Sequence, residues 1–263
     1  MNKERIAIIT EGDVREIEVL DNIKSIFFKS ENIDVIPFPA GENIYMLWKQ
    51  LKEDDFQTDI IEVVREQNEA AAKIIENYTR DDFAEVYLFF DYDGHQNNLS
   101  GSDEDVDVIS QMLEVFDNET ENGLLYVNYP MVEAFRDYIE GDCATMSECY
   151  MQLDDIPDYK NISSKNPAHN KVSAYSIADW GHVIDSFARR LSCLAYCEEV
   201  FEYEEYKSFV TPIWIYLQQK ELISKNVVFV LCAFPEFLLD YHKENFWCKM
   251  VKHRKNRIGR CEH

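Results

Sequence analysis

Glu85-Val86-Tyr87-Leu88-Phe89-Phe90-Asp91-Tyr92-Asp93-Gly94-His95 passes from an apolar run directly into two aspartates, a glycine and a histidine. A short apolar run bounded by turn-forming polar residues is predicted to be a buried strand. Its abrupt stop at Asp91 puts carboxylates at the strand end. A second junction of the same kind opens the chain, where Arg5-Ile-Ala-Ile-Ile-Thr10 meets Glu11-Gly12-Asp13. Between the two, Ile17, Leu20, Ile23 and Phe27 recur at helical spacing over Val14 to Phe28. Ile33 to Phe38 follows as a strand closed by Pro39 and Gly41, and then come helical stretches over 43–53 and 57–78. Beyond Asp93, a polar loop at 97–102 leads to a helix over Val106 to Phe116, a strand over Leu124 to Val127 and a helix over Met131 to Ile139. This alternation predicts an α/β fold with a mainly parallel sheet covered by helices on both faces.

The pattern fades after about residue 140. We therefore expect an α/β domain over 1–140 with a helical insertion at about 43–78. A linker or irregular segment over 141–173 and a mainly helical C-terminal region over 174–263 complete the chain. In that region Ile177, Trp180, Ile184, Phe187, Leu191 and Leu194 form one helical face, which fits either a packed core or the seam of a homodimer. Val227 to Leu231 reads as one more strand, and Phe234-Pro235-Glu236 as the opening of a last helix.

With 263 residues, 46% of them hydrophobic and 13% aromatic, the chain can bury a sizeable core and is not a disordered polymer. The N-terminus does not read as a signal peptide, and no apolar stretch reaches the roughly 18 to 20 residues that span a bilayer. A soluble cytoplasmic protein with no membrane partner is expected. The seven cysteines include no CxxC pair, which argues against a disulfide framework or a zinc ribbon. Cys193 and Cys197 stand one helical turn apart, but no second pair accompanies them, so reduced thiols are expected. A net charge of -24 removes general attraction to phosphate, so a nucleic acid must be met by a local basic patch or through bound cations. One patch exists in the C-terminal run carrying Lys249, Lys252, Arg254, Lys255, Arg257 and Arg260, which reads either as a solvated tail or as a contact for a polyanion or acidic partner.

In parallel α/β sheets, ligands bind beyond the C-terminal edge of the strands. Should the strands ending at Glu11 and at Asp91 be neighbours, three carboxylates (Glu11, Asp91 and Asp93) converge there. Like charges at such close quarters are costly unless a cation joins them. Oxygen-only ligation suits Mg2+ or Mn2+. In Asp91-Tyr92-Asp93 the i, i+2 spacing turns both carboxylates to one side of an extended backbone. Glu11 is then placed to complete the metal shell or to act as general acid or base. Asp13 and Glu133 are spare carboxylates that either join the shell or serve as helix N-terminal charges. His95 is available for proton transfer or is an ordinary loop histidine.

These residues resemble the Toprim domain of topoisomerases, primases and OLD-type nucleases: apolar strand, Glu11-Gly12, helix, strand, then Leu-Phe-Phe-Asp91-Tyr-Asp93-Gly. The resemblance covers roughly residues 3 to 140 and implies Glu11 as catalytic acid/base, with Asp91 and Asp93 as divalent-metal ligands. Asn128-Tyr-Pro-Met-Val-Glu133 and Phe234-Pro-Glu-Phe resemble stand-alone Toprim proteins of bacterial anti-phage systems, including the toxins of PARIS-type systems. That implies a nuclease held by a separate ATPase sensor and released on infection to attack nucleic acid such as tRNA. The chain carries no P-loop of its own, and neither a zinc ribbon nor a primase accessory domain is apparent.

Two other readings use the same residues. Haloacid-dehalogenase phosphatases also end a strand in DxDG, with Asp91 then the nucleophile and Asp93 the general acid, although their motif usually lies on the first strand. A non-enzymatic acidic protein that mimics nucleic acid or docks a basic partner would use a surface such as Glu198-Glu-Val-Phe-Glu-Tyr-Glu-Glu-Tyr206.

Overall fold

The computed structural model describes residues 3–29, 32–92, 107–138, 149–165, 171–196 and 200–252. Contacts divide the chain into two compact units, Met1–Asp91 with His95–Tyr126, and Tyr92–Gly94 with Val127–His263. The sequence boundary near 140 therefore falls inside the second unit. The apolar character of 124–139 hides the division, because the strand that completes the first unit's sheet runs on into the second.

The first unit contains β1 (Glu4–Thr10), α1 (Arg15–Ile23), β2 (Ile33–Pro39), α2 (Ile44–Glu53), α3 (Ile60–Gln67), α4 (Glu69–Ile74), β3 (Glu85–Asp91), α5 (Val108–Val115), β4 (Asp117–Asn118) and most of β5 (Gly123–Asn128). The strands form a mostly parallel five-stranded sheet in the order β2-β1-β3-β5-β4. The chain is thus α/β, as expected. β1 lies inside the sheet because Ile6, Ala7, Ile8 and Ile9 have no polar face to give to water, and all four are fully buried. It pairs in parallel with both neighbours, Thr10 standing opposite Pro39 of β2 and Phe89 of β3. That register brings the ends of β1 and β3 to the same edge of the sheet.

Two local expectations need correction, and one element is new. The stretch 57–78 is two helices rather than one, because Asn68 takes an extended backbone and its side chain accepts the N–H groups of Ala70 and Ala71, starting α4 afresh. The helix beginning at Arg15 widens into a π-helical segment over Lys24–Phe28. Asp117 and Asn118 form a short antiparallel edge strand on β5 that no apolar pattern announces.

The second unit contains β6 (Tyr150–Gln152), α6 (Tyr159–Ser163), α7 (Ile177–Leu194), α8 (Tyr203–Phe209), α9 (Pro212–Ile223), β7 (Val227–Phe229) and α10 (Ala233–Met250). Val132–Asp137 is a 3-10 helix where an α-helix was expected. Residues 149–165, read as linker, carry β6 and α6. Their order comes from buried partners: β6 pairs antiparallel with β7, and the buried Tyr159 hydroxyl donates to Asp137 Oδ2 at 2.5 Å. The 227–231 strand thus exists as β7, in a two-stranded sheet of its own.

α7 begins with a capping box in which Ser176 accepts the Asp179 N–H and the Asp179 carboxylate accepts the Ser176 N–H. Trp180, Ile184, Phe187, Leu191 and Leu194 are all buried, and α10 packs on α7. This face is used within the unit, which corrects its reading as a homodimer seam. Only Ile177, at its first turn, is exposed. α10 bends at Lys243, whose φ of 61° and ψ of -155° lie in a region that favours glycine. No helix among the described residues is long and apolar enough to cross a membrane.

Candidate metal centre

β1 and β3 each deliver a carboxylate to the sheet edge. Glu11 continues the strand for one residue, donating its N–H to Phe89 O at 3.1 Å, while its own carbonyl accepts Gly41 N–H at 3.3 Å. The chain then turns. Thr10, fully buried, donates its Oγ1 hydroxyl to Gly12 O at 2.8 Å, and Gly12 N–H donates to Glu16 Oε1 at 3.0 Å. With its backbone held on both sides, Glu11 extends its side chain across to β3, where Oε2 accepts the Asp91 N–H at 3.2 Å. Both residues are partly buried. The Glu11 side chain therefore reaches the backbone of Asp91, within the first unit.

The flank of Glu11 opens into a cleft lined by Glu11, Gly41, Glu42, Asn43 and Met46. Gly41 is required at its rim. Its φ of +79° disfavours any side chain, and a Cβ there would strike the Asn68 amide. Asn43 caps α2, its side chain accepting the Met46 N–H at 3.2 Å. Glu42, in the turn after β2, lines the same cleft as Glu11. Sequence reading missed it because it stands in a Gly-Glu-Asn turn with no apolar strand immediately before it.

Asp93 and His95 lie outside the described residues. Asp13 is exposed in the turn before α1. Glu133 belongs to the second unit, where it is buried and its Oε2 has no hydrogen-bond partner among the described residues. Lys249 and Lys252 are exposed at the end of α10, and the Lys252 N–H donates to Asp185 Oδ1 at 2.8 Å, tying the start of the basic run to α7. Arg254, Lys255, Arg257 and Arg260 lie outside the described residues, as do Cys143, Cys197 and Cys261. Cys149, Cys193 and Cys232 are buried free thiols, and Cys248 is an exposed one.

Among the described residues no three His, Cys, Asp or Glu side chains are grouped to hold a metal. Glu11 and Asp91 still fit Mg2+ by donor chemistry. Both offer hard carboxylate oxygens, and Mg2+ commonly binds through one or two carboxylates while keeping several waters. Zn2+ would call for softer or more numerous ligands.

The competing readings meet specific obstacles. The strand bearing Asp91 follows two earlier strands of the same sheet, unlike the first-strand placement of the phosphatase motif. In the acidic segment offered as a docking surface, Phe201 and Tyr206 are buried, so their rings are not available to a partner. Comparison with known proteins returns no matching family model, no matching curated protein and no matching solved structure.

Proposed function

We propose that this chain is a Mg2+- or Mn2+-dependent nuclease of the Toprim type, cleaving phosphodiester bonds at the Glu11/Asp91 edge. The observation that supports this reading most is the contact between Glu11 Oε2 and the Asp91 N–H at 3.2 Å, which joins the ends of two parallel strands through an acidic side chain. In this account Asp91 and Asp93 hold the ion, and Glu11 either completes its shell or moves a proton between water and the reacting phosphate. The bound ion supplies neutralisation of charge developing on the phosphate and a lower pKa for a coordinated water. His95 assists proton transfer. Lys249, Lys252, Arg254, Lys255, Arg257 and Arg260 form the basic route by which nucleic acid reaches an otherwise repulsive surface.

The Toprim resemblance extends the proposal. By that resemblance the enzyme is a cytoplasmic anti-phage effector or toxin under the control of an ATPase, which would be a separate subunit since this chain carries no P-loop, with tRNA or DNA as its target. The test is cleavage of duplex DNA and of total tRNA by purified protein with Mg2+ or Mn2+, comparing wild type with Glu11→Gln and Asp91→Asn. Loss of cleavage by about 100-fold or more in both variants, and in chelator, is expected. Cleavage that survives both substitutions refutes the assignment. Silence in vitro is addressed by expression in cells, where growth arrest by wild type and not by the two variants is expected.

A further inference from the structure

Glu16 stands one turn from the candidate centre and is buried to 6% exposure, although it is a carboxylate in the first turn of α1. A glutamate placed there only to favour the helix N-terminus would stay in water, as its neighbour Glu18 does with 39% of its side chain exposed. Burying a carboxylate costs free energy unless hydrogen bonds replace its water. Glu16 Oε1 accepts the Gly12 N–H at 3.0 Å, the peptide that directly follows Glu11. The fit is close. A Cβ built on Gly12 would lie 2.8 Å and 2.9 Å from the two Glu16 carboxylate oxygens, and all its nearest contacts are with that side chain. The Gly12 backbone does not itself demand glycine, so a side chain here would be felt by the Glu16 carboxylate, which would have to move aside. The same turn is gripped from the other side by the Thr10 hydroxyl on Gly12 O at 2.8 Å.

We infer that Glu16 is a positioning residue for the metal centre: by clamping the Glu11-Gly12 peptide it holds the Glu11 side chain at the end of β3. This inference rests on the metal-site reading of Glu11 and Asp91. Without Glu16 the Glu11-Gly12 peptide keeps the Gly41 N–H on its carbonyl but loses the acceptor of its N–H, so the approach of Glu11 to Asp91 is held less tightly.

The experiment measures Mn2+ binding to the purified full chain by electron paramagnetic resonance, alongside the Mg2+ requirement and pH profile of cleavage. Glu16→Ala is expected to weaken the tightest Mn2+ site roughly ten-fold, in the range lost with outer-shell partners, and to raise half-saturating Mg2+ in parallel. Glu16→Gln keeps an acceptor oxygen and is expected to stay within about two-fold of wild type. Gly12→Ala removes no atom of Glu16 but displaces its carboxylate, so it should reproduce the Glu16→Ala loss. It also carries the test if Glu16→Ala does not fold. The double variant Gly12→Ala/Glu16→Ala should be no worse than Glu16→Ala, since the clash disappears with the carboxylate. Folded Glu16→Ala and Gly12→Ala proteins that bind Mn2+ as wild type does overturn the positioning role, as do losses that multiply in the double variant. Absence of a tight Mn2+ site in wild type instead overturns the metal-site reading, and this inference with it.

Discussion

Two carboxylates and the backbone that aims them carry the account. Glu11 reaches Asp91 because its peptide is fixed to Phe89 on one side and to Gly41 on the other. Gly41 is the most exacting of these partners, having a left-handed φ of +79° and the Asn68 amide where a side chain would go. Gly41→Ala is therefore expected to cost about 1–2 kcal/mol in urea unfolding. It should also disturb the cleft beside Glu11, seen as a raised Mg2+ requirement. A Gly41→Ala protein as stable as wild type would show that the turn relaxes and that its geometry is not specified as described.

At the scale of elements, regular periodicity was the readable signal. The strand ends at Thr10 and Asp91 were legible because apolar runs stop there abruptly, and the α7 face was legible from its three-and-four spacing. That face also shows a limit, since spacing alone fits a dimer seam as well as a core and only the packing of α10 on α7 decides between them. The breaks were not legible. Asn68 interrupts a helical pattern by bonding its side chain to Ala70 and Ala71, and asparagine sits in helices and at caps alike. β4 consists of Asp117 and Asn118, which carry no strand propensity and are held by their antiparallel partner. Glu16 and Glu42 escaped notice because helix starts and turns are ordinary places for glutamate. Capping is a testable part of this level. Ser176→Ala removes the acceptor of the Asp179 N–H at the head of α7 and should cost about 1 kcal/mol, measured as a lower midpoint of thermal or urea unfolding. An unchanged midpoint would mean that packing on α10 alone starts the helix.

For the molecule as a whole, charge is the dominant constraint. A chain of net charge -24 repels nucleic acid and attracts divalent cations, so under the proposed function cation binding and the basic run near the C-terminus would together make room for a substrate. Acid groups in the second unit also make stability depend on pH. Burial, followed by the charge of Asp240, raises the Glu236 carboxyl well above its ordinary value of 4.5, so the folded chain keeps it protonated where the unfolded chain does not. Its contribution is complete below that ordinary value and is lost as pH rises toward the raised one. His242 acts in the opposite direction. Burial lowers its pKa from 6.5 to about 4, so stability falls as pH drops through that window. Glu236→Gln, neutral at every pH, should raise the melting temperature relative to wild type at pH 8 and leave it nearly unchanged at pH 4. A difference that is the same at both pH values would show that Glu236 is not held protonated. The central claim, that Glu11 and Asp91 form one divalent-cation site, is tested most directly by titrating Mn2+ into wild type, Glu11→Gln and Asp91→Asn at fixed ionic strength and following the tightest class of sites by electron paramagnetic resonance. The account predicts one such class in wild type, displaced by Mg2+ and lost in both variants. A tight site that persists in both, or none in wild type, contradicts it.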